Sequence, residues 1–158
     1  MSATGFQIAV GFGCDRGTPL ATLQQALDEA LALAGASVAD VVAAASIDLK
    51  ADEVGLLALA VLHGWCLTFY SPEQLAAVQV PNPSETVRKY TGTPSVSEAA
   101  ALLAGRAGIT DMLVEKYIFK GPDGKNATVS LARALLFVSD TSPTFSASLF
   151  PCLIPSTN

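Results

Sequence analysis

The stretch FQIAVGFGCDRGTPLATLQQALDEALALAG, Phe6 to Gly35, passes from one structural period to another. Phe6 to Phe12 is a short apolar run of strand character. Gly11, Gly13 and Gly17 then punctuate a loop, and Pro19 opens a helix. Leu20, Leu23, Leu27, Leu31 and Ala34 recur at helical spacing and are expected to face a core. Gly35 stands where a helix C′ residue belongs. The segment therefore reads as a strand–loop–helix junction whose glycines let backbone N–H groups approach a ligand closely.

The same alternation continues outward. Val41 to Ile47 (VVAAASI) lacks a polar face and reads as a strand buried on both sides. Asp48 to Ala51 forms a loop, and a helix runs from about Asp52 to His63. Trp65 to Tyr70 is a third strand, ended by Ser71-Pro72-Glu73-Gln74, a capping box with proline at N1 that starts a short helix to about Val78. Pro81 to Glu85 breaks the chain and caps a helix to Tyr90 or Thr91. In Thr91-Gly92-Thr93-Pro94-Ser95-Val96-Ser97-Glu98, either Thr93 caps the next helix or Ser95 and Glu98 form a capping box. That helix ends near Gly105 to Gly108. Met112 to Phe119 and Ala127 to Phe137 flank the turn Gly121 to Asn126 and predict a hairpin. The expectation is an α/β fold, with a mixed, mostly parallel sheet, flanking helices and a C-terminal antiparallel hairpin. Residues 1–138 make a single domain, and 139–158 an irregular tail.

Composition narrows the function. The 158 residues suffice for one domain with a core. Hydrophobic residues form 51% and charged ones 15%, which excludes disorder. A net charge of −5 argues against nucleic acid as a partner. Val54 to Pro72 carries no Lys, Arg, Asp or Glu, which suggests a membrane span by length. His63-Gly64 splits it, however, and Asp52, Glu53 and Glu73 flank it where basic residues would be expected. A buried helix followed by a buried strand fits better, so no membrane partner is expected. The N-terminus shows no signal peptide, and Cys14, Cys66 and Cys152 show no pairing or zinc spacing. A cytoplasmic location follows as an expectation.

Helices that follow parallel strands begin at the carboxyl edge of the sheet, where open α/β folds bind ligands. The glycine loop, the Lys50 loop and the Thr91 loop are expected to converge there. Their N–H groups, with Arg16 and Lys50 among them, suit a ligand carrying several negative charges.

The segments Val10 to Thr18, Ile47 to Glu53 and Thr91 to Ala100 resemble the three signature stretches of the CobE family. That family comprises CobE and the C-terminal domain of CbiG, both of cobalamin biosynthesis. Glu115-Lys116 and Ala127 to Arg133 resemble its closing strands, so the likeness runs from about Gln7 to Val138; Val54 stands where the family favours proline. The resemblance implies a part in corrin-ring assembly, binding or handing on a precorrin, whose acetate and propionate groups supply the negative charge. CbiG opens a lactone on a cobalt-precorrin and releases a two-carbon fragment, but with further N-terminal domains. Other enzymes of the pathway are candidate protein partners, and no cofactor is implied.

The residues expected to contact the ligand fall on these stretches. Gly11, Gly13, Cys14, Arg16, Gly17 and Thr18 come from the first, and Lys50 and Glu53 from the second. Thr91, Gly92, Thr93, Ser95 and Glu98 come from the third, and Lys116 projects from a closing strand. Each has a plainer reading. Lys50 could instead pair with Asp48, Asp52 or Glu53. Glu98 is a candidate acid/base, though capping explains it; Cys14 is a candidate nucleophile, though packing explains it. His63, the sole histidine, suits a helix C-terminus better than a metal, and these residues assemble no cobalt site. Two rivals to a binding protein stand: a small hydrolase acting on a precorrin, and a dinucleotide-binding module. The latter would use Gly11, Gly13 and Gly17 with Asp48, but the glycine spacing departs from the usual fingerprint.

Overall fold

A computed structural model of the chain describes residues 7–80 and 96–135. Strand β1 (Ile8–Cys14) leads to helix α1 (Leu20–Ala34), β2 (Val41–Ile47) to α2 (Val54–His63), and β3 (Leu67–Tyr70) to α3 (Pro72–Ala76). Helix α4 (Val96–Gly105) precedes β4 (Met112–Lys120) and β5 (Asn126–Arg133). The sheet order is β3-β2-β1-β5-β4. β1 pairs with β2, and β2 with β3, in parallel, while β5 lies antiparallel to both β1 and β4. The expected fold class is the observed one.

Alternation along β1 sends its side chains to two layers. Ile8, Val10 and Phe12 join Leu23, Leu27 and Leu31 of α1 and Leu56 and Leu59 of α2 in the larger core. Ala45 and Ile47 of β2 face the other way, onto Leu75 of α3 and Ala99 and Ala100 of α4. The leucine stripe of α1 is buried as its spacing predicts, with Leu20 and Ala34 partly covered at its ends. Gly35 closes that helix in the left-handed conformation at φ 67°. The capping box at Ser71 is formed in full: the Gln74 N–H donates to Ser71 Oγ, and the Ser71 N–H to Gln74 Oε1.

Several boundaries differ from the sequence reading, each for a tertiary reason. β1 runs on to Cys14 because Gly13 and Cys14 pair with Thr128 and Ala127 of β5. The third strand starts at Leu67, since the Trp65 N–H donates to the Ala60 carbonyl and finishes the end of α2. Asp48–Lys50 is a single 3₁₀ turn, and α2 begins two residues later than expected, with Glu53 at its N-cap. α3 stops at Ala76. The helix expected after Pro83, the Thr91 to Ser95 stretch and the tail 139–158 lie outside the described residues. Among the described residues no helix is long and apolar enough to cross a membrane.

α4 and β1 pack backbone against backbone. A Cβ at Gly11 would stand 2.0 Å from the Ser97 carbonyl oxygen and 2.6 Å from the Ala101 nitrogen. Only glycine lets the helix backbone lie this close to the strand. Beside it, Ser130 Oγ of β5 is bonded to Ser97 Oγ at 2.8 Å, giving the packed face a polar anchor. Gly11→Ala is therefore expected to lower the urea midpoint, with a loss of at least about 1–3 kcal/mol from overpacking. A midpoint equal to that of the wild type would show that α4 can lift off at no cost.

Candidate functional site

Three connections meet at the carboxyl edge of the parallel strands: the β1–α1 loop, the β2–α2 segment and the β4–β5 turn. Arg16, on the first, is the clasp. Its Nη1 donates to Asp52 Oδ1 at 2.7 Å, and its Nη2 donates to the Leu49 carbonyl at 3.0 Å. The same Nη1 lies 2.7 Å from Glu53 Oε2. That oxygen has no aligned hydrogen bond, so its tie to Arg16 is one of charge. Glu53 Oε1 accepts the Gly17 N–H at 3.0 Å. Glu53 is only 2% exposed, whereas the Arg16 and Asp52 side chains are mostly in solvent. Hydrogen bonding to Arg16, then its charge, holds the Asp52 carboxyl below the usual carboxylate range.

The approach of the two loops again depends on a missing side chain. A Cβ at Gly55, in the first turn of α2, would lie 2.2 Å from the Thr18 carbonyl oxygen. A cavity of ≈ 430 Å³ opens beside this contact, between the first turns of α1 and α2. Arg16, Thr18, Leu20, Glu53, Val54 and Ala58 are among its walls.

The third connection is stitched to the first by Asp15. Its N–H donates to the Asn126 carbonyl at 3.0 Å, and its Oδ2 accepts from the Asn126 backbone N–H at 2.8 Å and from Nδ2 at 3.3 Å. Thr18, buried, donates its hydroxyl to the Asp15 carbonyl at 2.7 Å. This brings Lys125 to the site: its Cε and Nζ lie 3.7 and 3.9 Å from where a Gly17 side chain would begin. Sequence reading took Lys125 for turn chemistry and missed it. The only signal was its place just before a closing strand.

Arg16, Gly17, Thr18 and Glu53 are thus gathered at one place, with Cys14 and Lys50 beside them. Lys50 is half-buried, and among the described residues it forms no ion pair. The pairings with Asp52 and Glu53 that it could have made are taken by Arg16. Its charge is felt at Cys14 and Asp52. Burial, foremost, raises the Cys14 thiol above its ordinary pKa, against the opposing pull of Lys50 and a hydrogen bond from Thr18. Gly11 is buried under α4, and Gly13 stands nearer the edge, beside Val96. Glu98 is fully buried in the first turn of α4. Lys116 sits mid-strand on β4, four residues before Lys120, the partner of Asn126. Thr91, Gly92, Thr93 and Ser95 lie outside the described residues. His63 closes α2, bonded through Nε2 to Gln24 Oε1 at 2.7 Å and stacked on Trp65. Among the described residues no group of three or more His, Cys, Asp or Glu side chains is arranged to hold a metal ion.

Comparison with known proteins adds a second line of observation. Residues 8–132 match the family model described as the cobalamin synthesis G C-terminus. A cobalt-precorrin-5A hydrolase of Priestia megaterium is 38% identical over 125 residues, which cover 79% of this chain but only 32% of that one. This chain thus spans about a third of the hydrolase's length. The protein CobE of a Sinorhizobium species is 36% identical over 131 residues, 81% of this chain and 80% of its own. The crystal structure of CobE, a protein from the cobalamin (vitamin B12) biosynthetic pathway, superposes with a TM-score of 0.69 at 37% identity. It covers 82% of this chain and 91% of the other.

The environment of Cys14 generates a prediction. A thiol kept protonated by burial reacts slowly with iodoacetamide at neutral pH, and its rate climbs only above the range of an ordinary cysteine. Peptide-resolved mass spectrometry across a pH series should show this lag at Cys14. A thiolate-like rate at pH 7 would establish the activation that the geometry denies.

Proposed function

The chain belongs to the family of the cobalamin synthesis G C-terminus, a family of cobalamin biosynthesis, and we propose that it binds a corrin-ring intermediate bearing several carboxylates. The observation that carries this reading is Lys50. It stands half-buried at the carboxyl edge of the parallel strands and, among the described residues, forms no ion pair, while two of its three candidate partners, Asp52 and Glu53, are occupied by Arg16. A lysine so placed offers a charge-assisted hydrogen bond to a carboxylate of a precorrin. The first turn of α1 carries no acidic side chain, which leaves its N–H end favourable to negative charge. The cavity beside the clasp has apolar walls at Leu20, Val54 and Ala58, suited to part of a macrocycle.

Binding and handing on a precorrin asks no bond chemistry of this site. The hydrolase relative is a chain about three times as long as the stretch it shares. The Cys14 thiol is held protonated, and His63 is engaged with Gln24 at the far end of α2.

Lys50→Ala is expected to weaken hydrogenobyrinic acid binding about ten- to hundredfold, the worth of one charge-assisted hydrogen bond, with little change in melting temperature. Raised salt should weaken the wild type more than the variant, because screening acts on the charge that the variant lacks. NAD(H), titrated in parallel, should not bind. An unchanged dissociation constant with a lowered melting temperature would assign Lys50 to the fold and remove it from the site.

A further inference from the structure

Beyond the Arg16 clasp, Lys50 is not the only cation among the described residues at this edge, and the sheet order says where another lies. β1 is flanked by β2 on one side and β5 on the other. Lys50 follows β2, and Lys125 immediately precedes β5. The two amino groups therefore belong to connections on opposite sides of the β1–α1 loop. We infer that Lys125 is a second ligand-binding cation of the same site, so that the ligand is held by two separated carboxylates straddling that loop. The inference rests on the binding reading above and specifies how that ligand's carboxylates are held, by cations on two different connections.

Three observations carry it. Lys125 is directed onto the loop, with its Nζ 3.9 Å from where a Gly17 side chain would begin. Among the described residues it has no ion pair, although the acids Asp15, Glu53 and Asp123 stand on the elements around it. Those acids are otherwise engaged: Asp15 by Asn126, Glu53 by Arg16 and Gly17, and Asp123 Oδ1 by the Lys125 N–H at 3.1 Å. Its backbone is also held on two sides. The Gly121 N–H donates to the Lys125 carbonyl at 2.8 Å, and the neighbouring Asn126 is stitched to Asp15. The restrained turn fixes where the lysine side chain starts, so binding need not order the backbone of the turn.

A ligand with one carboxylate can satisfy Lys50 or Lys125, whereas one with carboxylates on different edges of a ring can satisfy both. The test is a titration of hydrogenobyrinic acid, and of a corrin whose side-chain carboxylates are all amidated, into the wild type, Lys50→Ala, Lys125→Ala and the double variant. Lys125→Ala should lose about tenfold in affinity for the polycarboxylate, and the double variant about the product of the two single losses. The amidated corrin should bind all four proteins equally weakly. Lys125→Arg should restore most of the affinity, which separates charge from packing, and melting curves should coincide. Wild-type affinity in Lys125→Ala, with Lys50→Ala impaired, overturns this inference and leaves the binding reading standing. Failure of the wild type to bind the polycarboxylate overturns both.

Discussion

A carboxylate as buried as Glu53 governs how this edge of the molecule is built. Leaving such a charge unpaired costs several kcal/mol, so the fold must bring it a cation and a donor. Arg16 supplies the first and the Gly17 N–H the second, both from the β1–α1 loop. That loop is consequently locked to the start of α2 across thirty-six positions of sequence. The lock decides the electrostatics of the site by subtraction. Arg16, the most obvious anion-binding residue in the chain, is consumed within the protein. Among the described residues at this edge, Lys50 and Lys125, on the two neighbouring connections, are cations without an ion pair.

Most of the frame was legible because it rests on local rules. The apolar run at Val41 to Ile47, the leucine stripe closed by Gly35 and the reciprocal cap at Ser71 and Gln74 each need only a few neighbouring residues to be read. The errors fell where distant pairing decides. β1 was drawn too short because nothing near Cys14 announces Ala127 as its partner. Arg16 looked like a free cation because its partners, Asp52 and Glu53, belong to another loop. Lys125 was absorbed into turn composition, which explains the residue type and says nothing about where the amino group goes. The strand–helix order implied that the glycine loop and the Lys50 loop share one edge, as they do, but it could not show that Arg16 is spent on a clasp.

The opposite face of the sheet is organised by contact rather than charge. α4 can lie on β1 only because Gly11 offers no side chain, and Ala99, Ala100 and Ala101 keep the helix equally slim. Such close packing puts the first turn of α4, with Glu98 buried in it, hard against the sheet. A carboxylate at that helix N-terminus is favoured by the helix dipole.

The acidic character of the chain does not conflict with an anionic ligand, but it constrains how that ligand is held. Asp15, Asp48, Asp52, Glu53 and Asp123 stand around the site against Arg16, Lys50 and Lys125. The local field is thus not attractive at long range, and the site gains little from electrostatic steering. Discrimination must come from short contacts, because acids hydrogen-bonded to neutral donors keep their negative charge. Asp52 is paired with the Arg16 cation, Asp15 and Asp123 are hydrogen-bonded to neutral groups, and among the described residues neither Lys50 nor Lys125 forms an ion pair. On the proposed reading, a ligand whose carboxylates reached both lysines would gain both hydrogen bonds. One that presents its charge elsewhere meets the rim of acids, so the same arrangement that weakens attraction overall sharpens the geometric selection.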